Sequence, residues 1–260
     1  IVIGESLIAK SKGIKTVMAS VVALDGSSYR KPGVRMLILE NGKMIGAVSG
    51  GCVEKEILLQ SQTVFKTGEA KIMTYDGRYR LGCEGVLYIL IEPFSPDEKF
   101  AKAFSKCLKN RVSFEILSNY KKQEGLHLGV GSIVNIDGVL FPVSDVNACK
   151  TTKLQVFKQN MKPCFKLIII GAEHDAVQLC HYASLTGWEV TVVAGTTDSK
   201  SINEFTGAHE FIKTSPEAFN LSNVDNQTAI VLMTHNFAYD LRFLVALNNT
   251  ALSYIGLLGP

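Results

Sequence analysis

The sequence lacks the features that mark several classes of protein. Its apolar runs, such as 167–170 and 230–233, are far shorter than the roughly 18–20 residues of a membrane-spanning helix. Its six cysteines form no CxxC pair and no secretory signal opens the chain, which predicts free thiols in the cytoplasm. Runs of basic residues are absent, and a net charge of +3 is small for a nucleic-acid binder. We therefore expect a cytoplasmic protein with no membrane span and no nucleic-acid partner.

The composition is that of a folded protein, with charge distributed unevenly along the chain. The 260 residues are 47% hydrophobic and 20% charged, which suits two ordinary domains and excludes disordered and collagen-like classes. Residues 1–162 carry 23 Lys and Arg against 15 Asp and Glu, whereas residues 163–260 carry 4 against 9. The basic half favours a compact anionic ligand or an acidic partner, with solvated surface lysines as the alternative.

The first 160 residues predict a mixed α/β domain. Asn41-Gly42 is typical of a hairpin turn, Gly50-Gly51 precedes a helical pattern, and Ser95 to Glu98 is typical of a capping box. Residues 145–162 are polar enough for a linker or surface excursion. The predicted strands are 16–24, 34–40, 43–48, 70–75, 86–92, 112–118 and 131–141, and the predicted helices follow Gly51 and span 96–110.

From residue 161 the pattern changes to strands that alternate with helices. The predicted strands are 165–170, 188–193, 228–234 and 252–257, and the predicted helices are 175–186 and 238–248. This alternation indicates a parallel, doubly wound sheet. The expected fold class is α/β, with an N-terminal mixed α/β domain at 1–160 and a C-terminal Rossmann-like domain at 161–260.

The loop at 25–35 is the first candidate site. Its glycines let backbone N–H groups turn inward, while Arg30 and Arg35 offer planar guanidinium groups to phosphate or carboxylate oxygens. Ser27 and Ser28 add hydroxyl groups. The alternative is a polar turn whose basic residues face solvent.

Two glycine-flanked cysteines are the next candidates. Cys52 follows Gly50 and Gly51 at the predicted start of a helix, where the helix N-terminus stabilises a thiolate. Cys83 follows Gly82 in a loop between two predicted strands. Because their separation matches no zinc spacing, a structural zinc site is not expected. The alternative is that both are small packing residues.

The Rossmann-like turn departs from the dinucleotide fingerprint. Glu173 stands where the second glycine would let the backbone approach a pyrophosphate, and the next predicted strand ends in Ala194-Gly195 without the acidic residue that binds a ribose. Ordinary NAD(P) binding is therefore not expected. His174 and His235 follow strands of this sheet and are predicted to face its ligand edge, although His235 could equally cap the next helix.

The ordered motifs resemble the XdhC/CoxI family of maturation factors for xanthine dehydrogenase and related molybdenum hydroxylases. They are GSSYRKPGVRML, NGKMIGAVSGGCVE, LGCEGVLYILIEP, LIIIGAEH, MTHNFAYD and YIGLLG. The resemblance covers nearly the whole chain, with 95–162 the least characteristic part.

The resemblance implies a chaperone that binds molybdenum cofactor (molybdopterin), favours its sulfurated form together with a cysteine desulfurase, and delivers it to a xanthine dehydrogenase-type apoenzyme. It further implies a homodimer or other homo-oligomer, and a carrier rather than an enzyme. Cys52 and Cys83 are the candidate metal contacts. The implied cofactor-binding residues are Ser27, Ser28, Arg30, Arg35, Gly50, Gly51, Cys52, Glu54, Gly82, Cys83, His174 and His235. The alternatives are an NAD(P)-dependent oxidoreductase that uses the second domain and a protein-interaction scaffold with a degenerate Rossmann domain.

Overall fold

The structure is a computed structural model that describes residues 2–79, 85–144, 154–222 and 224–258, with only the backbone of Cys52 and Tyr79. The chain divides into two compact units. Unit 1 comprises Ile1–Lys109 and Ser113–Met161, and unit 2 comprises Asn110–Val112 and Lys162–Pro260. No helix of the described ranges is long and apolar enough to cross a membrane.

Unit 1 contains two antiparallel sheets and three helices within the described residues. The helices are α1 (Val2–Ser11), α2 (Cys52–Thr67) and α3 (Glu98–Lys109). The strands are β1 (Thr16–Asp25), β2 (Arg35–Leu39), β3 (Met44–Gly46), β4 (Lys71–Asp76), β5 (Val86–Pro93), β6 (Phe114–Tyr120), β7 (Gly125–Leu126), β8 (Gly131–Ile136), β9 (Val139–Pro142) and β10 (Gln155–Met161). The larger sheet has the order β3-β2-β1-β5-β4-β7, and the smaller has the order β10-β6-β8-β9.

The larger sheet is covered on both faces, which is why β1 is apolar along most of its length. On one face Val17, Ala19 and Val21 pack with Val53 and Ile57 of α2. On the opposite face Val22, Ile72 and Leu90 form a second cluster, against which Tyr120 and Phe157 of the smaller sheet pack. Successive residues of a strand point to opposite faces, so a strand in this position needs apolar residues throughout.

A polar layer lies between the two sheets of unit 1. Glu92 is fully buried and accepts hydrogen bonds from Ser132 N–H at 2.7 Å and Ser132 Oγ at 2.6 Å. Ser118 Oγ lies 2.8 Å from Ser132 Oγ. Burial raises the pKa of Glu92 to about 7, against the lowering effect of the Ser132 hydrogen bonds and of the Arg35 charge. The sheets are therefore joined by a polar group as well as by apolar packing.

Two sequence predictions in this unit are corrected. Residues 155–161 are strand β10, paired antiparallel with β6, rather than part of a linker, while 145–153 lie outside the described residues. Alternate residues of β10 are half-buried, and Phe157 among them packs in the core between the two sheets. Pairing with β6 therefore stabilises a strand here in spite of the polar composition. Helix α3 begins at Glu98, because the Asp97 carboxylate accepts the Phe100 N–H at 2.6 Å and acts as the cap predicted for Ser95.

Unit 2 is a doubly wound parallel sheet, as the sequence predicts. Its strands are β11 (Lys166–Ile170), β12 (Glu189–Ala194), β13 (Glu210–Lys213), β14 (Thr228–Leu232) and β15 (Tyr254–Leu257), in the order β13-β12-β11-β14-β15. Helix α4 (His174–Leu185) packs on the face of Leu167 and Ile169, and α5 (Phe237–Ala246) packs on the face of Ile168 and Ile170. The α/β class with mixed and Rossmann-like parts is thereby confirmed.

Replacement of the buried carboxyl group should change how stability depends on pH. The Glu92 pKa rises from an ordinary value of 4.5 to about 7 on folding, so the folded state retains a proton that the unfolded chain loses between these values. The free energy of unfolding of the wild type should fall across this window, by on the order of 3 kcal/mol. Glu92→Gln stays neutral and should remove the decline, as measured by urea denaturation followed by circular dichroism.

The exposed Glu124→Gln is the matched control for this substitution, because it removes the same charge from a surface loop. It should retain the wild-type decline. A Glu92→Gln protein whose stability falls between pH 4.5 and pH 7 as steeply as the wild type would show that Glu92 does not titrate in this way.

Candidate functional site

Strand ends bring the glycine-rich loops of unit 1 to one edge of the larger sheet. Strand β1 ends at Asp25 and β4 ends at Asp76, and both of these residues pair with Val86, where β5 begins. The start of loop 26–34 therefore lies beside the described ends of segment 77–85. The third loop, 47–51, leaves β3 at this same edge, because Gly46 pairs with Met36 near the start of β2, and it leads into the N-terminus of α2.

Direct packing joins two of these loops. A Cβ atom on Gly85 would lie 2.5 Å from the carbonyl oxygen of Ser27, so only glycine allows this close approach. The Gly77 N–H donates a hydrogen bond to the Gly85 carbonyl at 2.9 Å, which closes loop 77–85 at its base. Ser27 thus lies against the base of the loop whose residues 80–84 include the predicted Gly82 and Cys83, both outside the described residues.

Glu54 organises the turn that precedes α2. Its carboxylate accepts N–H groups from Val48 at 3.0 Å, Ser49 at 2.6 Å and Gly51 at 2.7 Å, and the Ser49 hydroxyl at 3.1 Å. Burial works to raise the pKa of Glu54, but the hydrogen bonds from Ser49, from its own N–H and from Gly51 lower it. Glu54 therefore holds the Gly50-Gly51 turn in place, and its carboxylate oxygens are occupied by the turn itself.

Cys52 is the first residue of α2 and lies at this edge through its backbone. The helix N-terminus carries a partial positive charge, which favours a thiolate or a bound anion there. The Cys52 side chain is outside the described part of the structure, so a cleft shared with Cys83 stays a prediction. The described ends of the segment that carries Cys83, Gly77 and Gly85, lie at this same edge.

Arg30 and Arg35 lie in different environments, although the sequence predicts the same role for both. Arg30 is exposed, whereas Arg35 turns inward and donates from Nη1 to the Gly33 carbonyl at 3.0 Å and to Gln159 Oε1. The Arg35 Nε and Nη2 atoms are buried and have no partner among the described residues. Burial lowers the pKa of Arg35, partly offset by Glu92. Arg35 is thus an interior residue at the base of the loop, and Arg30 remains available to a ligand.

Ion pairs at this edge, which the sequence reasoning missed, neutralise its carboxylates. Asp25 pairs with Lys122 and accepts the Tyr88 hydroxyl at 3.1 Å, and Asp76 pairs with Arg78 at 2.6 Å. The hydrogen bond from Lys122 lowers the pKa of Asp25, and that from Arg78 lowers the pKa of Asp76. Within the described ranges, neither Arg30 nor the adjacent Lys31 makes an ion pair, so loop 26–34 keeps a net positive charge.

In unit 2 the predicted histidines lie at the carboxyl edge of the parallel sheet. His235 Nε2 is 2.9 Å from Asp175 Oδ2, and Asp175 follows His174 at the start of α4. Glu173, the N-cap residue, pairs with Lys200 at 3.2 Å. The predicted repulsion of a pyrophosphate by Glu173 is therefore reduced, because Lys200 offsets that charge. Among the residues that the structure describes, no group of three or more His, Cys, Asp and Glu could hold a metal ion.

The fold and these loops define a class: a mixed α/β unit with glycine-rich loops at one sheet edge, joined to a Rossmann-like unit. The model of the XdhC and CoxI family matches residues 9–76, and that of the XdhC Rossmann domain matches residues 167–260. The chain belongs to the XdhC/CoxI family.

Known proteins resemble the chain along nearly its whole length. A probable xanthine dehydrogenase subunit of Bacillus subtilis (strain 168) is 27% identical, over 94% of this chain and 79% of that protein. The molybdenum cofactor insertion chaperone PaoD of Escherichia coli (strain K12) is 21% identical, over 96% and 69%. The crystal structure of a xanthine dehydrogenase from Bacillus halodurans superposes with a TM-score of 0.79 at 24% identity, over 99% and 81%. That likeness shows the fold.

The turn before α2 should depend on Glu54. Glu54→Ala leaves the N–H groups of Val48, Ser49 and Gly51 without their acceptor, so we expect a loss of about 2 kcal/mol or more in the free energy of unfolding. Glu54→Gln keeps one acceptor oxygen and should lose less. Urea denaturation measures the stability, and amide hydrogen exchange at residues 48–51 reports the turn directly.

Glu69→Ala is the control for Glu54→Ala, because it removes an exposed carboxylate just beyond the end of the same helix. It should change neither measurement. Slow exchange at residues 48–51 in Glu54→Ala, equal to that of the wild type, would contradict the assigned role.

Proposed function

We propose that this protein is a molybdenum cofactor-binding chaperone that assists the maturation of a xanthine dehydrogenase-type molybdoenzyme. The proposal rests on the edge of the larger sheet from which loops 26–34 and 47–51 and segment 77–85 leave their strands, called the loop edge below. Arg30, Lys31 and the N-terminus of α2 present positive charge there. The family assignment supports it, as do the relatives named as a cofactor insertion chaperone and as part of a xanthine dehydrogenase.

The chemistry of the edge suits the two ends of the cofactor. Molybdopterin carries a phosphate group, for which the exposed Arg30 side chain and the hydroxyl groups of Ser27 and Ser28 are suitable donors. Its other end is a metal dithiolene, near which Cys52 and Cys83 would supply thiolates. The Gly50-Gly51 turn, held by Glu54, would let the ligand approach the backbone closely. In this role the protein binds and releases its cargo without turnover of a free metabolite.

Finer parts of the proposal concern the partners. We infer cooperation with a cysteine desulfurase: the thiolate of Cys52 or Cys83 would attack the outer sulfur of the desulfurase persulfide, which forms a persulfide on this chain and releases the desulfurase cysteine as a thiolate. We also propose a homo-oligomer located in the cytoplasm, where free thiols persist. Transfer to the apoenzyme would require contact between its cofactor entrance and the loop edge.

Arg30 should contribute to cofactor binding. A charge-assisted hydrogen bond to phosphate is worth on the order of 1.5–3 kcal/mol, so Arg30→Ala should weaken the affinity for molybdenum cofactor about tenfold or more. Equilibrium titration of the purified chain measures this affinity. Arg30 is exposed and should be replaceable without loss of the fold, unlike the interior Arg35.

Arg242→Ala is the control, because it removes an exposed arginine from α5 of unit 2. Its affinity should match the wild type. Equal affinities of Arg30→Ala and wild type would remove loop 26–34 from the binding site.

The alternative function is an NAD(P)-dependent oxidoreductase that uses unit 2, and the Glu173–Lys200 pair is the observation in its favour. We still expect weak NAD binding by the wild type, because the Glu173 carboxylate stays at the N-terminus of α4, where a pyrophosphate would lie.

Replacement of Glu173 tests that expectation. Glu173→Gly removes the side chain and frees Lys200, so calorimetry should show an NAD affinity raised about tenfold or more. Glu173→Gln distinguishes charge from volume: if charge is the obstacle, both variants gain affinity, and if volume is the obstacle, only the glycine does. Micromolar binding of NAD by the wild type would favour the oxidoreductase.

A further inference from the structure

A cavity of unit 1 lies at the opposite edge of the larger sheet from the candidate site. It has a volume of about 540 Å³ and is lined by the ends of α1 and α2, the start of β1 and the end of β5. Strand β1 begins in this cavity at Thr16 and ends at the glycine-rich loops at Asp25, and ten residues at about 3.3 Å each place the two about 30 Å apart. The cavity is therefore separate from the proposed cofactor site.

The lining of this cavity combines apolar walls with lysine side chains. The apolar residues of the lining include Ile14 and Phe65, which are half-buried and expose apolar surface, and Val17, Val64 and Phe94, which are buried behind them in the core. Lys10, Lys15 and Lys66 also line it, and no Asp or Glu of the described residues does. Its volume lies within the range of small-molecule sites, about 300–1,000 Å³.

The nearby helix ends explain only two of these three lysines. Lys10 and Lys66 lie in the last turns of α1 and α2, where the partial negative charge of a helix end favours a cation. Lys15 lies beyond α1 and has no such reason. Lys10 Nζ donates to the Pro96 carbonyl at 2.6 Å, which fixes one ammonium group, whereas Lys15 and Lys66 make no ion pair within the described part of the chain.

We propose that this cavity binds a small organic anion with an apolar body, either an aromatic or branched carboxylate or a phosphate monoester. The anionic group would lie between Lys15 and Lys66, and the apolar body would lie against Ile14 and Phe65. Such a ligand would bind independently of the cofactor proposed for the loop edge.

The fluorescent anion 8-anilinonaphthalene-1-sulfonate tests the site, because it joins a sulfonate to an apolar body. It should bind the full chain, and the double variant Lys15→Ala/Lys66→Ala should bind it about tenfold more weakly, since two charge contacts are lost. The control Lys102→Ala/Lys106→Ala removes the same charge from exposed positions of α3 and should bind as the wild type does. Circular dichroism verifies that both variants are folded.

Competition for the bound dye identifies the ligand class. Benzoate or phenyl phosphate should displace the dye, and the stronger of the two shows whether a carboxylate or a phosphate is preferred. Benzyl alcohol and inorganic phosphate should be at least about tenfold weaker, because each supplies only one of the two interactions. Three outcomes would overturn the proposal. The dye could bind the wild type and Lys15→Ala/Lys66→Ala equally, both double variants could lose the same affinity, or inorganic phosphate could be the only compound that displaces the dye. Arg30→Ala should bind the dye with unchanged affinity. The dye experiment therefore tests this cavity independently of the cofactor site.

Discussion

The burial of Glu92 between the two sheets of unit 1 is the constraint on which the rest of that unit depends. A carboxyl group without solvent must have hydrogen-bond partners, and Ser132 supplies both of them from the facing sheet. These contacts fix how β5 lies against β8. The same polar layer includes Arg35, whose Nη1 binds Gln159 of β10 and the Gly33 carbonyl of the loop. Gly33 has a φ of 102°, and a Cβ atom there would lie 2.5 Å from Gln159 Nε2, so this position of loop 26–34 favours glycine.

At the loop edge, internal contacts hold the ends of the loops while positively charged side chains remain exposed. Glu54 holds the turn before α2, and Gly85 lies against the Ser27 carbonyl in loop 26–34. Asp25 and Asp76 would lower the positive potential, but Lys122 and Arg78 pair with them. An anion that reaches this edge therefore meets Arg30 and Lys31 without a competing carboxylate from the strand ends. The proposed cofactor site thus depends on the two cations of loop 26–34 that make no ion pair with the described residues.

Unit 2 keeps the Rossmann topology while its ligand edge is occupied by internal pairs. Glu173 binds Lys200 and Asp175 binds His235, so the start of α4 is surrounded by side chains that already have partners. A nucleotide would have to replace these contacts as well as avoid the carboxylates. The topology alone therefore does not determine a nucleotide-binding function.

Local patterns in the sequence determined most of the elements and the loops that join them. Examples are the apolar runs of β1 and β11 and the glycine turn before α2, which are visible in short stretches of neighbouring residues. The α/β class follows from the order of such elements. Tertiary structure decided which charged residues remain available. Arg30 and Arg35 are five positions apart and look alike in sequence, but Arg35 is half-buried and its guanidinium binds Gln159 of β10, 124 residues away. Lys122 with Asp25 and Lys200 with Glu173 are likewise distant in sequence, and their pairing depends on strand order and loop position. Such contacts follow from packing of the whole chain, which local periodicity does not specify.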